Sequence, residues 1–109
     1  MSLDIHLMSK IEDEQLVFDT NITHNLGEMA GKAGIYYHLW RPEEIGVSKA
    51  GDLIKPLEQG LYLLTHQRDK FEKFNPENGW GNYDNLVLIT REYINACIKY
   101  PNARIEVSR

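Results

Sequence analysis

Leu3-Asp4-Ile5-His6-Leu7-Met8, close to the start of the chain, decides what kind of fold to expect. Leu3, Ile5 and Leu7 alternate with Asp4, His6 and Met8, and a period of two sends the two sets to opposite sides of an extended backbone. The stretch therefore reads as a half-buried strand. Glu12-Asp13-Glu14 follows as a charged turn, and Leu16, Phe18 and Thr20 then alternate against Val17 and Asp19 as a second strand. A connection of about four to six residues makes the pair a hairpin. Two strands alone are marginal in water. A third is available near the other end, where Ala103, Ile105 and Val107 alternate with Arg104, Glu106 and Ser108, and its expected place is beside the first.

Between these strands the period becomes helical. Ile22, Leu26, Met29, Ala30 and Ala33 fall on one helix face. Thr20, Asn21 or Thr23 can cap its start, and Gly34 suits the left-handed position after its end. Gly27 and Gly31 each weaken such a helix by roughly 1 kcal/mol relative to alanine, which points to a neighbour lying close against them. Tyr36, Leu39 and Trp40 make a short turn that stops before Pro42. Ser48 is placed to cap a longer helix with Ala50, Leu53, Ile54, Leu57, Leu61 and Leu64 on one stripe, kinked or divided at Pro56. Arg68 to Phe74 is another short helix. The last helix opens at Asn82 or Tyr83, buries Leu86, Val87, Thr90, Tyr93, Ile94, Cys97 and Ile98, and ends near Tyr100, ahead of Pro101. The expected architecture is one α+β domain over residues 1–109: a small antiparallel three-stranded sheet (N-terminal hairpin plus C-terminal strand) with four to five helices packed on one face.

Composition removes several functional classes. The 109 residues hold 12 lysines and arginines against 16 aspartates and glutamates, so the formal net charge is 12 − 16 = −4. Mild acidity with scattered cations argues against a broad grip on nucleic acid. No apolar run approaches the roughly 20 residues of a membrane helix. Met1 to His6 lacks the basic and apolar regions of a secretory signal. The single cysteine, Cys97, leaves no internal disulfide and no cysteine-built zinc site. The expectation is a cytoplasmic protein that uses no cofactor and no metal and meets neither nucleic acid nor membrane. The sequon Asn21-Ile22-Thr23 is then a chance match. Open sheet edges are compatible with a monomer or a weak homodimer.

Chemistry concentrates in two segments that include both tryptophans. The first runs from Thr20 to Leu26 and resumes at Tyr36-Tyr37-His38-Leu39-Trp40-Arg41-Pro42; the second is Phe74-Asn75-Pro76-Glu77-Asn78-Gly79-Trp80-Gly81-Asn82-Tyr83. Asn21, Thr23, His24 and Asn25 lie at a strand-to-helix junction, where free N–H groups favour an anion or a polar group; plain helix capping is the simpler reading. His38, Trp40 and Arg41 combine a titratable ring, a stacking face and a bidentate fork. The simpler reading buries Trp40 in the core and pairs Arg41 with Glu43 or Glu44. In the second segment Gly79 and Gly81 flank Trp80, which suits an indole lid over a pocket with Asn75, Asn78 and Tyr83 supplying directional hydrogen bonds. The simpler reading is a helix-connecting loop pinned by Trp80, with Asn78 bonding its own backbone.

The stretches Asn21-Ile22-Thr23-His24-Asn25-Leu26, His38-Leu39-Trp40-Arg41-Pro42-Glu43-Glu44 and Phe74 to Gly81 with Tyr83 resemble a family of small proteins carried by bacteriophages and bacterial genomes. That family has no established activity. The resemblance implies a small stand-alone protein, often phage-borne, and transfers no catalytic residues.

Catalytic templates are missing: there is no serine elbow, P-loop, Gly-x-Gly-x-x-Gly or His-Glu-x-x-His. Cys97 falls on an apolar helix face and reads as an inert thiol. Three functional expectations follow. The first is a pocket for a polar, partly planar small molecule, lined by Asn21, Thr23, His24, Asn25, His38, Trp40, Arg41, Asn75, Asn78, Trp80 and Tyr83. The second is a protein-interaction module, on a host protein, using the same Trp/Arg/Tyr patch. The third is a small hydrolase or transferase with His24 or His38 as general base.

Overall fold

The structure is a computed structural model that describes residues 1–10 and 13–109. Glu12, part of the expected charged turn, lies outside the described residues. Strand β1 (Ser2–Lys10) pairs antiparallel with β2 (Glu14–Thr23) on one side and with β3 (Arg104–Ser108) on the other, giving the order β2-β1-β3. Leu3, Ile5 and Leu7 are buried on the inner face, as their alternation requires. The outer face is polar. Asn21 donates to Asp4 and Ser2 there, and Arg104 pairs with Glu14 and Glu106. The α+β architecture with helices on one face follows from this division of one sheet into a wet and a dry side.

Two sequence expectations in the hairpin are corrected. Leu7 faces Phe18 but Met8 faces Leu16, so Val17 is an extra residue and β2 bulges there. A bulge inverts the alternation. Phe18, Thr20 and Ile22 share the inner face, whereas Leu16 is turned out and is 52% exposed. The strand also runs further than expected, through Thr23. Ile22 is therefore a strand residue, although it is as buried as the helix reading required.

A 3₁₀ turn (His24–Leu26) leads into α1 (Gly27–Lys32), then α2 (Tyr36–Trp40). Gly34 takes φ 79° between them, the left-handed stop that glycine tolerates. Tyr36 is the neighbour that lies against Gly27 and Gly31. Pro42–Ile45 is a second 3₁₀ turn and Ala50–Leu53 a third, followed by α3 (Ile54–His66) and α4 (Arg68–Glu72). Pro56 neither kinks nor divides α3. It is the third residue, where no intrahelical N–H bond is lost, and the change of helix type falls ahead of it. Ser48 does not cap the helix; its carbonyl accepts from Ile105 N–H and its neighbour Lys49 bridges Arg104.

Helix α5 (Tyr83–Lys99) crosses the inner face of the sheet. Asn82 caps it, its Oδ1 accepting from Asn85 N–H at 2.9 Å. Leu86, Thr90, Tyr93, Ile94 and Cys97 are buried along one stripe. Tyr93 stacks on Phe18 with ring centroids 5.7 Å apart. Burial pushes the Cys97 thiol up to about 12, so it stays protonated and inert. Among the described residues no helix is long and apolar enough to cross a membrane.

Candidate functional site

The junction after β2 is stabilised by its own side chains. Thr23 Oγ1 accepts from Asn25 N–H, Asn25 is exposed, and Asn21 is engaged on the outer face of the sheet. His24 turns inward, and its Nδ1 accepts from the indole N–H of buried Trp40 at 2.8 Å. That contact places the His24 ring proton on Nε2. Trp40 in turn stacks on Tyr36, with centroids 5.3 Å apart and planes 9° from parallel. Arg41 Nε–H donates to the Tyr36 hydroxyl and its Nη1 pairs with Glu44 at 2.6 Å. These two partners, the hydroxyl first, raise the guanidinium further above its already high range.

The loop from Asn75 to Tyr83 is held by its asparagines. Asn75 Oδ1 accepts from Tyr83 N–H at 2.7 Å, and Asn78 Oδ1 accepts from Trp80 N–H at 2.9 Å. Tyr83 is buried, and its hydroxyl donates to the Leu64 carbonyl at 2.5 Å. Gly81, at φ 86°, lies against Thr23 and Leu26 so closely that a Cβ there would come within 2.6 Å of Thr23 Cγ2. The base of this loop thus does reach the Thr23 junction across the fold. Trp80 does not take part: the residue is 70% exposed, and a side chain that open covers no pocket. The eleven expected residues therefore do not line one hollow. Asn21 lies on the outer sheet face, Trp80 in solvent, and Trp40 and Tyr83 in the core.

A cleft of about 600 Å³ opens on the near side of the Tyr36 ring, between Gly31, Gly34, Tyr36, Tyr37, His38, Ile45 and Val47. Tyr36 and Tyr37 meet edge to face at 5.4 Å, so they present two aromatic surfaces at a right angle. Tyr37 and Ile45 are 49% and 42% exposed. Gly31 and Gly34 supply floor without side chains. His38 is the cleft's titratable ring. Its Nδ1 is buried and makes no hydrogen bond of ordinary geometry. Burial holds its pKa below the usual histidine range, the Gly34 carbonyl pulling weakly the other way. The ring is therefore neutral at pH 7.

Only His38 among the expected residues lines this cleft. His24, Trp40 and Arg41 stand behind it, fixing Tyr36 through a stack and two hydrogen bonds. Sequence reading overlooked Tyr37, Ile45 and Val47. The signal available for them was a tyrosine pair preceding His38 and an apolar pair around Gly46, just after the Pro42 turn. Neither histidine hydrogen-bonds a carboxylate or hydroxyl among the described residues, and no group of three acidic, histidine or cysteine side chains there could hold a metal ion. A second hollow, about 590 Å³, follows Lys55, Glu58, Gln59, Tyr62 and Leu63. All five belong to α3, and one helix face makes a furrow rather than an enclosure. Comparison with family models, with characterised proteins and with solved structures found no match.

Proposed function

We propose that the protein is a small binding module whose site is the His38 cleft, and that its ligand is a compact planar compound with one hydrogen-bonding group. The observation that carries this reading is a neutral histidine set in the wall of an aromatic and aliphatic cleft of ligand size. Two tyrosine faces and Ile45 suit a flat ring. His38 suits a single phenolic, indole or amide group. The wall is already immobilised by the chain His24–Trp40–Tyr36–Arg41, so little ordering cost falls on binding. The ligand is thus less polar than the sequence suggested. The setting we attach to this reading is the cytoplasm of a bacterial host, as the resemblance to phage-borne proteins implies.

The test uses phenol and indole as probes in a protein-observed NMR titration. The expected result is saturable shifts confined to Tyr37, His38, Ile45 and Val47. His38→Phe is expected to weaken binding of the hydroxylated probe about tenfold, the worth of one buried hydrogen bond. Shifts elsewhere, or none, overturn the reading.

One observation favours a second reading, a protein-interaction module. The Asn75 and Asn78 bonds and the positive φ of Gly79 and Gly81 hold Trp80 outward on a stiffened loop. A large aromatic presented that way is the usual anchor of a protein interface. Trp80→Ala separates the two readings: it abolishes capture of a partner and leaves the probe titration intact.

A further inference from the structure

The outer edge of β2 leaves the hydrogen-bonding capacity of a whole strand unspent. β1 is central, and the edge of β3 is met by Ser48 and Lys49. No comparable cover meets β2: among the described residues, no backbone hydrogen bond beyond its ladder with β1 involves Glu14 to Ile22. The phase of that ladder is set by its last rung, where His24 N–H donates to the Met1 carbonyl at 3.3 Å. In an antiparallel pair every second residue faces the same way. Ile22, Thr20 and Phe18 therefore face β1, and Thr23, Asn21 and Asp19 turn their N–H and C=O groups outward. Natural edge strands discourage pairing with lysine, proline or a bulge. β2 has no lysine, arginine or proline, and its bulge at Leu16 and Val17 lies before Phe18, just outside the Phe18–Ile22 stretch.

We propose that two copies of this chain pair through β2 about a two-fold axis at Thr20, joining two three-stranded sheets into one of six strands. The sequence of the edge is self-complementary in that register. Asp19 stands opposite the partner subunit's Asn21, Thr20 opposite the partner's Thr20, and Phe18 opposite the partner's Ile22. Hydroxyl faces hydroxyl and an aromatic faces a β-branched residue, both favourable cross-strand pairs, while Asn21 keeps its amide N–H groups on Ser2 and Asp4 of its own sheet. A two-fold at Asp19 instead sets two carboxylates face to face, which disfavours it. The occupant is a second copy rather than a foreign strand because this complementarity is between the edge and itself.

Light scattering on the eluting protein is expected to give twice the chain mass. Hydrogen exchange on the unmodified chain is expected to find the Asp19 and Asn21 amides protected, although the isolated protomer leaves both unbonded. Thr20→Cys is expected to form a covalent dimer on oxidation, since the position sits at a closely spaced pair on the axis and Cys97 is buried. Asp19→Pro removes an outward N–H without touching the ladder to β1 and is expected to yield a folded monomer. A monomeric wild-type protein overturns the proposal. So does a dimer in which the Asp19 and Asn21 amides exchange freely, or in which Thr20→Cys gives no cross-link. The exchange and cross-link measurements stand even if Asp19→Pro fails to fold.

Discussion

His24 shows how a residue that looks like a ligand group can be structural support. Its Nδ1 accepts a hydrogen bond from the indole N–H of Trp40 inside the fold. His24→Ala leaves that N–H unpaired in a buried place and should cost about 1–3 kcal/mol, read as a fall in the urea midpoint. Tyr93 makes the opposite case. Its hydroxyl is buried with no partner and burial raises its pKa well above the usual tyrosine range. Tyr93→Phe removes a group that cannot be satisfied while keeping the stack on Phe18. It should be neutral or stabilising by up to about 1 kcal/mol in the same measurement. His38 carries a pH signature. An unfolded histidine titrates near 6.5 and the folded His38 titrates lower, so on acidification the unfolded chain takes the proton first. The stability His38 contributes is complete above about 6.5 and is lost as pH falls through that value toward the folded pKa. His38→Gln should flatten the decline of melting temperature between neutral and mildly acidic pH, modestly because the ring is only partly buried.

At the scale of elements, α3 depends on a glycine whose role shows only in the structure. A Cβ on Gly60 would come within 2.2 Å of Ile35 Cγ2, because the segment between α1 and α2 crosses the helix there. Alanine in an open helix gains roughly 1 kcal/mol over glycine. Here overpacking reverses the sign, and Gly60→Ala should destabilise by about 1–3 kcal/mol in thermal unfolding. The strands, most of the α5 stripe and the caps at Asn82 and Gly34 were legible because each rests on neighbours in sequence: alternation, helical period, a side chain bonding three residues on; Ile98, expected on that stripe, is instead 55% exposed in the last turn. The bulge at Val17 was not, because Leu16 and Phe18 keep the same spacing with or without it. Pro56 misled because a proline is harmless in a first turn, and the start of α3 is set by tertiary contact. The same division governs the site. Clustering of His38, Trp40 and Arg41 pointed to the neighbourhood of the Tyr36 cleft. Which of them faces a cleft depends on how Tyr36 packs between α1 and Trp40, and Trp80 looked like a lid because glycines that let a chain fold over a ring equally let it hold one out.

Over the whole molecule, the helices cover one sheet face, while the cleft, the Trp80 loop and the β2 edge remain accessible. The net charge of −4 is modest and places no strong repulsion between copies. If β2 joins two protomers, folding and association are coupled, so the melting temperature should rise with protein concentration, and Asp19→Pro should remove that dependence.

The cleft is the claim on which the functional account stands. A protein-observed NMR titration with phenol tests it most directly, with backbone and imidazole signals followed together. Saturable shifts are expected at Tyr37, His38, Ile45 and Val47, weakened by His38→Phe and unchanged by Trp80→Ala. Shifts gathered around Trp80, with the His38 imidazole silent, contradict the claim.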